Sequence, residues 1–231
     1  MSVHPNVDLF KAFQSVPPCY HEAFGDDMKE VQVHHTIANG DCLFESLRFI
    51  LASIQMTYDN RYMRSVVARS ILDHRDEVTQ QALHGWYVLF QEIVASRDPG
   101  LWQEYAYMEP SRRQQWPLPK HTIHEISDAM MKPHLYWGEE HALRIFERQL
   151  QVRALVFEEV KLGQNAVLRL YVPLDHGSAQ TQYHPTHYIL LHLCRKHYQP
   201  LSYRKQFIFQ PSELPSSLQR YIRGSEIKFI P

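Results

Sequence analysis

The sequence predicts a mixed α/β domain, with helices in its first half and a strand layer in its second. Three observations predict it. Apolar residues in the first half recur at helical spacing, a further helix is expected over residues 139–150, and the chain after it is made of β-branched and aromatic runs. At about 150 residues per domain, a chain of 231 residues fits one core with a modest extension.

Each element has its own signal. Leu43, Leu47, Ile50, Leu51 and Ile54 form the apolar stripe of an amphipathic helix that begins near Asp41. A second helix is expected through Tyr62, Val66, Val67 and Ile71, and a third through Leu83, Trp86, Tyr87, Phe90 and Ile93. The pattern fails over residues 96–120, where Asp98-Pro99-Gly100 and Pro110, Pro117 and Pro119 mark a long connection. Strands are expected at 152–157, 166–172, 187–193 and 206–209. The reading divides the chain into an arm at 1–28, a domain at 29–195 and a C-terminal extension at 196–231 packed on the domain.

Composition narrows the partners. A net charge of −1, with 24 basic and 25 acidic side chains in no long block, argues against nucleic-acid binding by counterion release and against a polybasic membrane patch. No run approaches the roughly 18 apolar residues of a membrane span, and the first residues lack a basic stretch followed by an apolar one. Three cysteines, Cys19, Cys42 and Cys194, cannot complete a disulfide framework, so the expected compartment is the reducing cytosol or nucleus. A protein of this kind is expected to be a monomer whose partner is another folded protein.

Cys42 stands out because it follows a glycine turn and opens the first helix, in Asn39-Gly40-Asp41-Cys42. The amides of a helix N-terminus favour a thiolate, lowering a thiol pKa from about 8.5, and can also bind an oxyanion. The backbone amides of Gly40, Asp41 and Cys42 are the candidates for that hole, with Gly40 allowing the sharp turn. The plainer reading, a small buried residue at a helix start, stays open beside it. A thiolate nucleophile needs a base, and His187 opens a strongly apolar strand that would hold it rigidly. A metal site is not expected, since alternation along a strand sends His187 one way and His192 and Cys194 the other. No cofactor is expected.

Three blocks in order resemble the ovarian-tumour (OTU) family of papain-like cysteine proteases, most of whose active members are deubiquitinases. The first is Asn39-Gly40-Asp41-Cys42-Leu43-Phe44-Glu45-Ser46, the second Trp137-Gly138-Glu139-Glu140 with its helix running into Val152–Phe157, and the third His187-Tyr188. The resemblance covers residues 30–195 and implies a central, mostly antiparallel sheet flanked by helices. It implies a thiol-dependent isopeptidase cutting after the C-terminal glycine of ubiquitin, polyubiquitin or a ubiquitin-like modifier, in the host cytosol if the source is a virus or pathogen.

In the implied site Cys42 is the nucleophile and His187 the base, while Trp137, Gly138 and Tyr188 wall a cleft narrow enough for a Gly-Gly tail. Two positions depart from the family pattern. Asn39 stands where an Asp is common, and Ile189 stands two after the histidine, where a hydrogen-bonding residue is common. Asn39 either takes the third catalytic place or orders the oxyanion loop. The departures leave a rival, a catalytically silent relative that binds ubiquitin or acts as a scaffold.

Overall fold

The computed structural model describes residues 13–14, 20–37, 40–73, 123–133, 136, 138, 140–162, 165–171, 185–195 and 197–222. The helix expected at 83–93 and the connection at 96–120 lie outside them. The strands are β1 (Phe13–Gln14), β2 (Val31–His34), β3 (Val152–Leu162), β4 (Asn165–Tyr171), β5 (His187–Cys194), β6 (His197–Tyr203) and β7 (Ile208–Phe209). The helices are α1 (His21–Phe24), α2 (Cys42–Ala52), α3 (Asn60–Leu72), α4 (Ile123–Met130), α5 (Glu140–Leu150) and α6 (Ser216–Ile222).

The strands form one sheet in the order β1-β2-β6-β5-β3-β4, with β7 pairing β5. Only β3 and β5 run parallel; every other pair is antiparallel. The expected mostly antiparallel sheet flanked by helices is therefore observed. Two cores flank it. Val152, Ala154, Val156, Ile189, Leu191 and Tyr198 face α2, α3 and α5, where Leu43, Phe44, Leu47 and Ile50 are buried. Leu155, Phe157, Leu190, Leu201 and Tyr203 face the other way, onto Tyr20, Ala23 and Phe24 of the α1 region and Leu218 of α6. Burying an aliphatic or aromatic side chain of this size stabilises by about 1.5–3 kcal/mol, so the stripe on α2 is enough to fix that helix against the sheet. At the start of α3 the Asp59 carboxylate accepts from the amide of Tyr62 at 2.6 Å, a cap of about 1 kcal/mol.

Both expected domain boundaries need correction. β6 lies between β2 and β5 in the middle of the sheet, so the chain beyond 195 is core and not an added extension. At the other end, Tyr20 and Ala23 are fully buried, so the last residues of the expected arm also belong to the core.

β6 escaped the sequence reading because His197-Tyr198-Gln199-Pro200 is polar and carries a proline, which ordinarily demotes a segment from a central strand. Its geometry shows why proline is tolerated. The amide and carbonyl of Tyr198 point away from β5, towards Cys42 and Thr36 respectively, and alternation turns Pro200 to that same side. Registered pairing with β2 begins only at Leu201↔Val33, so the missing N–H removes no ladder bond. No helix among the described residues is long and apolar enough to cross a membrane.

Candidate active site

The site forms where β2 ends and β6 runs on without it. Thr36, just past β2, donates its hydroxyl to the Tyr198 carbonyl at 2.6 Å, and the Tyr198 amide lies 3.4 Å from Cys42 Sγ. The first turn of α2 thus takes the place that a longer β2 would have filled.

Cys42 is 4% exposed. Burial pushes its thiol pKa up, against the amides of Tyr198, Leu43 and Cys42, which favour the thiolate. The expectation of a lowered pKa is therefore corrected, because desolvation outweighs the helix terminus. Glu45, one turn on, adds a further upward push and accepts from the Ile37 amide at 2.9 Å, tethering the segment that leads into the loop.

The loop itself is held by Arg64, a residue on α3 that the sequence reading did not single out. Its Nε donates to Asp41 Oδ1 at 2.7 Å, Nη2 to the Gly40 carbonyl at 2.9 Å and Nη1 to the Met130 carbonyl at 2.8 Å. The guanidinium is 2% exposed and sits 4.6 Å over the Phe44 ring. Aspartate ordinarily caps the helix it precedes, but Asp41 makes no side-chain cap bond. Its carboxylate is engaged by Arg64, leaving the first-turn amides of α2 uncapped by it, as an oxyanion hole requires. Gly40 turns the chain at φ 88. A signal for Arg64 did exist, since it falls with Val67 and Ala68 on the apolar stripe of α3, where an unpartnered cation would not be buried.

The structure corrects the histidine. Tyr198, beside Cys42, pairs with Leu193 in the β5–β6 register, and His187 lies six residues further along β5. At about 3.3 Å per residue that puts His187 about 20 Å from the sulfur, beyond any direct proton transfer. It sits instead near the end of α5, with Nδ1 2.9 Å from Thr186 Oγ1. Tyr188 goes with it, five residues along β5 from the Leu193 that pairs with Tyr198, and is no wall of this cleft.

His197 is the histidine that lies beside Cys42. Its carbonyl carbon is bonded to the nitrogen that meets Cys42 Sγ, so the imidazole hangs from a Cα within about 6 Å of the sulfur. Nε2 lies 3.3 Å from Thr36 Oγ1. Because that hydroxyl gives its hydrogen to the Tyr198 carbonyl, its oxygen receives the one on Nε2, which leaves Nδ1 as the nitrogen with the lone pair. Nδ1 is buried and has no hydrogen-bond partner. Burial pushes the His197 pKa down; a hydrogen bond to the Thr36 backbone opposes this, His35 adds to it, and Glu45 opposes it. The signal was present in the sequence, because His197-Tyr198 repeats the dipeptide of His187-Tyr188.

Among the other expected site residues, Gly138 is brought to the site: at φ 71 it packs so closely on the first turn of α2 that a Cβ there would meet Leu43 Cβ and Phe44 Cε2 at 3.1 Å. Asn39, Trp137 and Glu139 lie outside the described residues. Glu140 pairs with Arg144 along α5, a helix-start role. With the histidine moved, the position two residues later becomes Gln199, so Ile189 no longer bears on the site.

No protein-family model matches the chain, and no curated protein does. Among solved structures it is similar to an ovarian tumor (OTU) domain in complex with ubiquitin, at 14% identity and TM-score 0.47 over 89% of this chain and 95% of that one. It is also similar to an OTU deubiquitinase from Wolbachia pipientis wMel bound to ubiquitin, at 14% identity and TM-score 0.46 over 76% and 98%. A viral OTU domain protease from Dera Ghazi Khan virus aligns at 16% identity and TM-score 0.42 over 76% and 82%. At these levels the chemistry has to be argued from the chain's own residues.

Proposed function

We propose that the protein is a cysteine isopeptidase of the OTU type that cleaves after the C-terminal glycine of ubiquitin or a ubiquitin-like modifier. One observation carries the reading: Cys42 opens α2 against the backbone amide next to His197, whose Nδ1 is buried and unbonded. The motif around Cys42, the Gly138 packing and the solved OTU domains bound to ubiquitin accord with it.

His197 Nδ1 takes the Cys42 proton as the sulfur attacks the glycine carbonyl carbon, and the carbonyl electrons move onto oxygen, facing the amides of the α2 first turn. The C–N bond breaks when the imidazolium returns its proton to the leaving lysine amine, giving a thioester. Water, deprotonated by His197, then attacks the thioester carbon and releases the carboxylate and the thiol. Burial pushes the Cys42 thiol pKa up, which opposes a standing thiolate. Thr36 positions the ring, which is one of the two roles the sequence left open for Asn39.

A ubiquitin probe with a C-terminal electrophile tests the reading. It should label the wild type and not Cys42→Ala. Ubiquitin binding without labelling of the wild type would move the assignment to a silent ubiquitin-binding relative.

A further inference from the structure

On the sheet face opposite α2, three side chains with metal-binding atoms converge. Glu159 of β3 is registered beside Cys194 of the parallel β5, and His192 lies two residues before that cysteine on the same face. Their donor atoms all lie within 4.8 Å of one another. The strand reading correctly set His192 and Cys194 apart from His187, but it could not see a third donor arriving from a neighbouring strand.

We propose that the Glu159 carboxylate, His192 Nε2 and Cys194 Sγ form a site for a divalent cation of the zinc class. The donor set of one carboxylate, one imidazole and one thiol suits zinc, with a fourth position left for water. Donors sharing a tetrahedral zinc at about 2.0–2.3 Å stand about 3.3–3.7 Å apart, so the cluster needs to contract by no more than about 1.5 Å. Glu159 is half-buried on a side chain long enough to supply that movement.

Two further observations support a ligand. The Tyr20 hydroxyl lies 2.6 Å from His192 Nδ1, fixing the ring as an outer partner does in metal sites and leaving Nε2 for the ion. Nε2 faces Glu159 Oε2 at 4.0 Å, too far for a hydrogen bond, and no other partner of Nε2 is seen among the described residues. Gln199, registered opposite His192 and 3% exposed, has an amide nitrogen without a partner, and a metal-bound water would accept from it. Binding replaces the Cys194 proton with the ion and releases that proton to solvent. The ion would staple β3 to β5 at the end where Cys194 is registered with His197, bracing the hairpin that presents the base.

The test is a titration of the full chain with Co(II) as a spectroscopic stand-in, and with Zn(II) against a chromophoric chelator. One equivalent should give a tetrahedral spectrum with a thiolate-to-cobalt charge-transfer band. Cys194→Ser should abolish that band, while Cys42→Ala and Cys19→Ser keep it. Glu159→Gln, a half-buried position that spares the thiol, should weaken Zn(II) binding by at least about 10-fold. Absence of the band in the wild type, or a band that follows Cys42 and not Cys194, would overturn the site. Probe labelling of Cys42 is scored separately, so either conclusion can fail alone.

Discussion

The amide of Tyr198 lies 3.4 Å from the sulfur of Cys42, and that contact fixes which histidine stands beside it. A strand is a ruler. Once one residue of β6 is placed against the nucleophile, the β5–β6 register places His197 beside it and His187 at the far end of the hairpin. The same contact shows that Cys42 sits where backbone pairing stops, at an edge of β6 met among the described residues by Thr36 and α2.

The two histidines should separate cleanly on substitution. His197→Ala is expected to lower the kcat of di-ubiquitin cleavage by about 10²–10⁴-fold, the range of a lost general base, while His187→Ala stays within about twofold. Steady-state kinetics on both variants check this, and a large loss in His187→Ala would sink the assignment.

Thr36→Val keeps the shape and removes the oxygen that meets His197 Nε2 and the Tyr198 carbonyl. It should lower kcat by about 10-fold with KM little changed, because the ring loses its orientation and not its contact with substrate. Thr36→Ser should restore most of the rate. If Ser fails to rescue, the hydroxyl is not what positions the ring.

Removing Arg64 breaks a buried ion pair. Asp41 would lose its ion pair, and the Gly40 and Met130 carbonyls would lose their donors, so Arg64→Met should cost about 3–5 kcal/mol. Urea unfolding with an unchanged slope and a lower midpoint is the expected result. Probe labelling of Cys42 in the folded variant should also slow, since the loop would lose its clamp.

His34 makes stability depend on pH. It packs against the Phe49 and Phe207 rings, which also touch each other, and is bonded to Ser202 Oγ at 2.8 Å, and burial lowers its pKa from 6.5 to about 4. Between those values the unfolded chain holds the proton that the folded one refuses. Its contribution is therefore complete above pH 6.5 and is lost as pH falls towards 4. The urea midpoint should drop over that window, and the drop should be smaller in His34→Gln.

The sequence by itself determined the local elements and the turn that sets Cys42 at a helix start. The stripe from Leu43 to Leu51 specifies α2 because burial of one helical face is periodic in the chain, and Gly40 before Cys42 marks the turn that exposes a helix terminus. Only the tertiary structure decided the rest. Which histidine meets Cys42 depends on the register between strands, and two His-Tyr pairs ten residues apart look alike until pairing places one at the nucleophile and the other at the far end of the hairpin. Whether the thiol pKa rises or falls depends on how deeply packing buries it, which outweighs the helix terminus here. Arg64 and Glu159 act across elements far apart in the chain, and a linear pattern records which face a residue occupies but not what faces it.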